Sequence, residues 1–423
     1  MNHRLTRRFL LLFQALPYFV FPGGSQDETI TLKETIVYHT EMTDSLSREA
    51  DEEIIKRFSQ NHPGIEVLYS SNTLTEAGKS DAAFKSFPSD LVHLPGGHRV
   101  YSLVEAGKVM DISEIWEHQV WYDSYAPSWQ DMSSLEGKQY LIPGSWYWWA
   151  LYYKPSVFER FSLEVPVLWE DFLSLCETLV DQGITPFAIG TKYPWTGAAW
   201  FDYFNMRING PEFHRDLMRG NAAYDDPRVK KVFQEWGSMI DKGYFIDHSA
   251  SYSWFEVIPS LLEEKTAMCL MGNFILDAIP AENREDVDFF RFPLYNTEKA
   301  IGEVVPSEVF LIPAESKHKD GASDLIAHFG STDIQDYIAG KTGRLSANRL
   351  VDSSLYKLQE QKGIQMVNSS DFIFQSYEYE TSAEMAQWGM EAFQEIWEHH
   401  SESDINRICS SLEKMRQSSD LIH

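Results

Sequence analysis

Four consecutive aromatic residues, Trp146-Tyr147-Trp148-Trp149, follow Pro143-Gly144. Flat rings with polar edges suit a molecule that offers C–H faces and a belt of hydroxyls. The rings cover the faces, and planar side chains take the hydroxyls in pairs. A sugar ring is such a molecule. Successive strand side chains point to opposite faces, so Tyr147 and Trp149 can meet one ligand together. Trp146, at the loop end, is expected to reach it too, while Trp148 packs inside. Trp195, which follows Tyr193-Pro194 in a loop after an apolar segment, is a further stacking candidate. Trp200, beyond it on the next helix, reads as core.

The polar partners come from loops at strand ends. Glu41 closes the loop His39-Thr40-Glu41, and His98 and Arg99 follow the double glycine Gly96-Gly97. Asn273 follows Met271-Gly272 at a strand end, and Arg344 follows Gly343. Asp202, near the start of the helix after Trp195, can accept two hydroxyl protons or serve the helix dipole. Both roles stay open.

Two carboxylates across a cleft are also what glycoside cleavage uses, at separations of roughly 5–10 Å. No Gly-x-Ser-x-Gly elbow, His-Glu-x-x-His pair or Gly-x-x-x-x-Gly-Lys loop accompanies them, so the reading is a binder without catalytic residues, metal or cofactor. Tyr152-Tyr153 lacks the His and carboxylate neighbours of an iron site and reads as strand packing. Cys176, Cys269 and Cys409 lie far apart in apolar surroundings and read as buried free thiols. Aromatic walls with carboxylates could alternatively hold a polyamine, and a sugar binder could serve a membrane sensor.

The chain has 423 residues, 43% hydrophobic and 23% charged. At roughly 100–200 residues per domain this is material for two cores. Its 13 tryptophans exceed what a core requires. The net charge of −27 repels phosphate backbones and anionic headgroups, which excludes nucleic acid and membrane surfaces as partners. Arg4, Arg7 and Arg8 precede an apolar run from Phe9 to Phe21 and then Gly23, Gly24 and Ser25, the layout of a signal peptide over residues 1–25. An uncleaved anchor is the alternative. No cysteine follows the apolar run, so no lipid attachment is expected, and the mature protein is expected in the periplasm.

The elements that would position these residues read as α/β. A strand at Thr35–His39 precedes a helix with Leu46, Ala50, Ile54, Ile55 and Phe58 on one face, which Asn61-His62-Pro63-Gly64 stops. Ile65, Val67 and Tyr69 alternate as a second strand. Strand, helix and strand on short connections open a parallel sheet, whose ligands bind beyond the carboxyl ends of the strands. Later, Trp169 to Val180 is a helical stripe closed by Gly183, Pro186–Gly190 a buried strand, and Glu384–Met415 two amphipathic helices. With no low-complexity linker, the two lobes should exchange chain more than once through a multi-strand hinge.

An ordered series of segments carries a resemblance. FSQNHPGIEV from Phe58, PSDLVHLPGG from Pro88, EAGKVMDI from Glu105, GKQYLIPGSWYWWALYYKPSVF from Gly137, GITPFAIG from Gly183 and TAMCLMGNF from Thr266, with GEVVPSEVFLIPA and GRLSAN after them, resemble the family 1 extracellular solute-binding proteins of sugar ABC transporters. The resemblance implies a two-lobe, type II-like periplasmic binding fold with the ligand in the interlobe cleft. It places one crossing between lobes after Pro143-Gly144 and a second near Pro306-Ser307. The N-terminal lobe is then 26–143 plus 304–350, and the C-terminal lobe 144–303 plus 351–423. Tyr147 matches an aromatic cleft position of the family and Glu308 a polar one. A monomer is implied that captures a sugar or oligosaccharide by lobe closure and delivers it to membrane permease subunits. Asn273-Phe274 stands where a tryptophan often follows the glycine, which implies the loss of a stacking platform.

Overall fold

The computed structural model describes residues 34–71 and 89–419; the leader expected over residues 1–25 lies outside them. In chain order the elements that matter are β1 (Glu34–Thr40), α1 (Ser45–Asn61), β2 (Ile65–Ser71), β3 (Leu91–Pro95), α2 (His98–Glu105), β4 (Ile142–Trp146), β5 (Trp149–Tyr153), α3 (Trp169–Asp181), β6 (Thr185–Phe187), α4 (Trp195–Asn209), β7 (Thr266–Gly272), β8 (Asp288–Phe290), β9 (Gly302–Val304), β10 (Ser307–Leu311), α5 (Thr332–Thr342), β11 (Leu345–Ser346), β12 (Phe372–Phe374), α6 (Tyr377–Glu380), α7 (Ala383–Ile396) and α8 (Glu402–Ser419).

Two sheets form. The first has the order β11-β4-β10-β3-β1-β2 and the second β8-β5-β7-β6, with β9 and β12 pairing in parallel as a separate two-stranded ribbon. The opening strands β1, β2 and β3 are parallel, as the strand–helix–strand pattern requires. The first sheet as a whole is mixed, because β10 enters from the other lobe and so runs against both β3 and β4. The chain passes between sheets at β4–β5, again from β8 through β9 into β10, and a third time from β11 through β12 into α6–α8. The crossing expected at residues 143–144 falls instead at Tyr147-Trp148, since β4 keeps its ladder with β10 and β11 through Trp146.

Local chemistry accounts for the boundaries. Asp44 caps α1, its carboxylate accepting the Ser47 N–H at 3.0 Å. The buried stripe of α1 is Ser47, Ala50, Asp51, Ile54 and Phe58; Leu46, expected on it, is exposed. Gly183 takes a left-handed φ of 75° just past α3, as a helix C-terminus favours. The surplus of tryptophan goes largely into the buried core, one continuous cluster in place of the two cores expected: Trp116, Trp129, Trp148, Trp200 and Trp236 are fully buried. All three cysteines are free and buried, and burial pushes the Cys269 and Cys409 thiols up to about 12, so they are unreactive at neutral pH.

Candidate functional site

Strand direction decides where the expected residues go. The carboxyl ends of β1, β3 and β4 share one edge of the first sheet, and β10 begins there, with Glu308 opposite Pro95. In the second sheet β5 starts at the crossing and β7 runs back to meet it, pairing Gly272 with Trp149. β6 is parallel to β7 and leads out to Trp195. Glu41, His98, Arg99, Tyr147, Trp195, Asn273, Glu308 and Arg344 therefore all sit at the sheet ends that face the crossings.

The first lobe contributes charge that is already paired. Glu41 is buried just past β1, its N–H bonded to the His93 carbonyl at 2.9 Å, and its carboxylate takes both terminal nitrogens of Arg99. Arg99 stands in the first turn of α2, behind a double glycine that the packing demands. A Cβ on Gly97, whose φ is 111°, would lie 2.2 Å from the Tyr379 carbonyl oxygen, and one on Gly96 would lie 2.7 Å from Gln375 Nε2. His98, beside it, comes within 3.3 Å of the Ser102 hydroxyl.

Glu308 and Arg344, expected as separate ligand contacts, meet each other at 2.8 Å. Arg344 also reaches the capping Asp44 at 2.8 Å, and Glu308 accepts from Ser145 and lies 3.4 Å from His93 Nε2. Burial opposes ionisation of Glu308, but the His93 contact and the Arg344 guanidinium outweigh it and hold the carboxyl below its usual range. Behind them, Asp51 accepts from Tyr38 and Tyr69 at 3.1 and 3.2 Å, and burial pushes its carboxyl up to about 6. The cavity at this network, ≈ 30 Å³, has room for a water and none for a ring.

The second lobe contributes rings. Phe274 is their hub, with its centroid 5.7 Å from Tyr147, 6.3 Å from Trp149, 6.2 Å from Trp195 and 5.2 Å from Trp254, every pair edge-to-face. Trp149 and Trp195 touch at 5.7 Å. Tyr147, Trp195, Trp254 and Phe274 are half-buried around a buried Trp149, so four rings keep surface for a visitor. Gly272 makes the hub possible, because a Cβ there would lie 2.3 Å from the Phe274 ring. Asn273 donates its N–H to the Trp148 carbonyl at 2.9 Å, and its side-chain oxygen is buried with no hydrogen-bond partner among the described residues.

Some expectations change. Tyr147 and Trp149 do share a face, but Trp149 is 2% exposed and forms the floor of the cluster, not a platform. Trp146 is 4% exposed and packs on Trp129 at 5.5 Å, because its side of the strand faces the first-lobe core. Asp202 lies well inside α4 with no exposed surface, where it accepts the Tyr377 N–H at 3.0 Å and so caps α6. It does not reach the cleft. Phe274 is the centre of the ring cluster and not a lost platform. Trp254 was missed, although the aromatic run Tyr252-Ser253-Trp254-Phe255 could have signalled it. So were Glu378 and Tyr379, in the alternating Tyr377-Glu378-Tyr379-Glu380.

A larger open cavity of ≈ 510 Å³ lies at the far end of α4, lined by Asn209, Glu212, Asp216 and Arg228 among others. Trp195 begins this 15-residue helix and Asn209 ends it, about 21 Å apart at 1.5 Å per residue. None of the expected residues lines that cavity, which offers no ring cluster.

Residues 42–336 match the profile of the bacterial extracellular solute-binding proteins. The chain belongs to that family. An uncharacterized ABC transporter extracellular-binding protein of Pyrococcus horikoshii is 20% identical over 83% of this chain and 80% of its own length. The alpha-glucosides-binding periplasmic protein AglE of Rhizobium meliloti is 26% identical over 57% of each chain. Among solved structures, the solute receptor AcbH, described as preferring β-D-galactopyranose, superposes with a TM-score of 0.85 at 21% identity, over 91% of this chain and 98% of its own. The sugar-binding protein MalE of Xanthomonas citri gives 0.73 at 14% identity, over 92% and 98%. These likenesses establish the two-lobe, type II-like fold of this solute-binding protein. No described helix is long and apolar enough to cross a membrane.

Proposed function

We propose that this solute-binding protein takes a carbohydrate into the interlobe cleft and presents it, without chemical change, to the membrane permease subunits of an ABC importer, acting outside the cytoplasmic membrane as a monomer. The observation that carries this is the cluster of half-buried rings around Phe274, set opposite Glu41–Arg99 and Glu308–Arg344. Rings cover the C–H faces of a sugar, while the ion pairs hold planar groups still for its hydroxyls. The sugar-binding names of relatives and structural neighbours support the same reading.

The pairing also bears on the rivals. A polyamine site needs free carboxylates, and a glycosidase needs one that can attack or transfer a proton. Glu41 and Glu308, the two carboxylates the sequence offers for either chemistry, are each neutralised by an arginine, which disfavours both rivals at those two positions. Closure follows from the ligand touching both lobes, since it shifts the open–closed balance by its differential affinity for the two forms. A thermal-shift screen over mono-, di- and oligosaccharides tests the reading, because a solute that binds only the native state raises its melting temperature. At least one sugar should do so; a protein that responds to polyamines and to no sugar refutes it.

A further inference from the structure

One carboxylate in the cleft region has no such partner. α6 arrives on the third crossing and is fastened from both sides. Asp202 caps its first N–H at 3.0 Å, and Glu380 accepts the Gln375 N–H at 2.8 Å. Gln375 in turn bridges to the first sheet, donating to the Ser307 hydroxyl at 2.7 Å and accepting the Ser307 N–H at 3.0 Å. The Tyr379 carbonyl seats against Gly97. A segment held this firmly aims its side chains with little freedom.

Between these fixed points stands Glu378. Its Oε2 is buried and meets no donor at hydrogen-bond geometry among the described residues. Its charge acts on the Tyr147 phenol at the ring cluster and on Tyr379, which also feels Glu41. Burial pushes the carboxyl up, and only its own backbone N–H and the Ser376 hydroxyl work against this. Glu41, Glu308 and Glu380 all have donors, and Asp202 is sealed off. A buried acceptor left unpaired is costly, so such a group is retained where a visiting molecule supplies the donor.

We infer that Glu378 is a specificity-determining contact of the cleft, accepting a hydrogen bond from one hydroxyl of the bound carbohydrate while the ring cluster covers the sugar face. The contact adds α6, which arrives on the third crossing, to the segments that touch the solute, and it rests on the carbohydrate reading above.

The test is calorimetry on the whole protein and on Glu378→Ala and Glu378→Gln, with D-galactose, maltose and chitobiose and the monodeoxy analogues of each. A hydrogen bond to a charged group predicts that Glu378→Ala weakens the best of these sugars by about 10-fold or more. One deoxy analogue should lose as much in the wild type and almost nothing further in the variant. That coupling is what a merely structural role would not produce. Glu378→Gln keeps the shape and an acceptor oxygen, so it should lose less and serves if the alanine variant does not fold. If the wild type binds and no deoxy position couples to residue 378 by more than about twofold, the assignment is overturned while the carbohydrate reading stands. If the wild type binds no sugar at all, that reading falls and the assignment with it.

Discussion

The two sides of the cleft are built on opposite principles. On the second-lobe side, Tyr147, Trp195, Trp254 and Phe274 offer surface and ask for little, since rings packed edge-to-face have few polar atoms to satisfy. On the first-lobe side, Glu41, Arg99, Glu308 and Arg344 carry charge, and each is held by a partner within its own lobe. The ring side can lose a ring and stay folded; on the charged side, losing an arginine strands a carboxylate. The difference teaches that affinity and stability are separable here: rings are the adjustable part and ion pairs the frame.

The strongest way to break this contrast is Glu308→Ala. It removes the acceptor shared by Ser145, His93 and Arg344, and it should cost about 3–4 kcal/mol of stability in urea unfolding, near the range for breaking a buried pair. An unchanged midpoint would show that the pairs are ornament. A second frame carboxyl acts through pH. Burial pushes Glu380 up to about 7 from 4.5, so the fold favours its neutral form. Its contribution to stability is therefore full below about pH 4.5 and is lost as pH rises through 7. Relative to Glu380→Gln, which still offers an oxygen to the Gln375 N–H, the wild type should lose about 2–3 kcal/mol across that window. Parallel pH–stability curves for the two proteins would refute it.

Much of this frame was legible in the residues. Alternation and helical spacing place β1, α1 and β2, strand ends point to Glu41 and Asn273, and the family resemblance supplies Glu308. What could not be read is which side of each end is already filled. Trp146 and Trp149 differ from Tyr147 only in what packs behind them, namely Trp129 for the one and the Phe274 hub for the other. The Glu308–Arg344 contact joins β10 to the residue just before β11, and β4 lies between those two strands in the sheet order, so no local pattern announces it. Glu378 was invisible for a related reason. An acid in a four-residue helix looks solvated until three crossings fold around it.

The ring side is probed more gently. Trp195→Ala should weaken sugar binding about 10- to 100-fold, the range expected for one stacked aromatic with its buried area, while the unfolding midpoint of the free protein hardly moves. Tyr147→Ala should behave alike, and unchanged affinity in both would show that the solute sits elsewhere.

The smallest expected effect concerns salt, and it discriminates most cleanly between solutes. Screening acts on interactions between net charges and falls off over a Debye length of about 10 Å at 0.1 M ionic strength. A neutral sugar held by rings and by arginine-paired carboxylates brings no net charge to screen. Its affinity should therefore change less than about twofold between roughly 0.05 and 0.5 M salt. A polyamine drawn to an acidic protein of net charge −27 would lose affinity steeply over the same range. A steep salt slope for the solute that binds would mean that the ion pairs open on binding and expose their carboxylates, which would erase the distinction between the two walls.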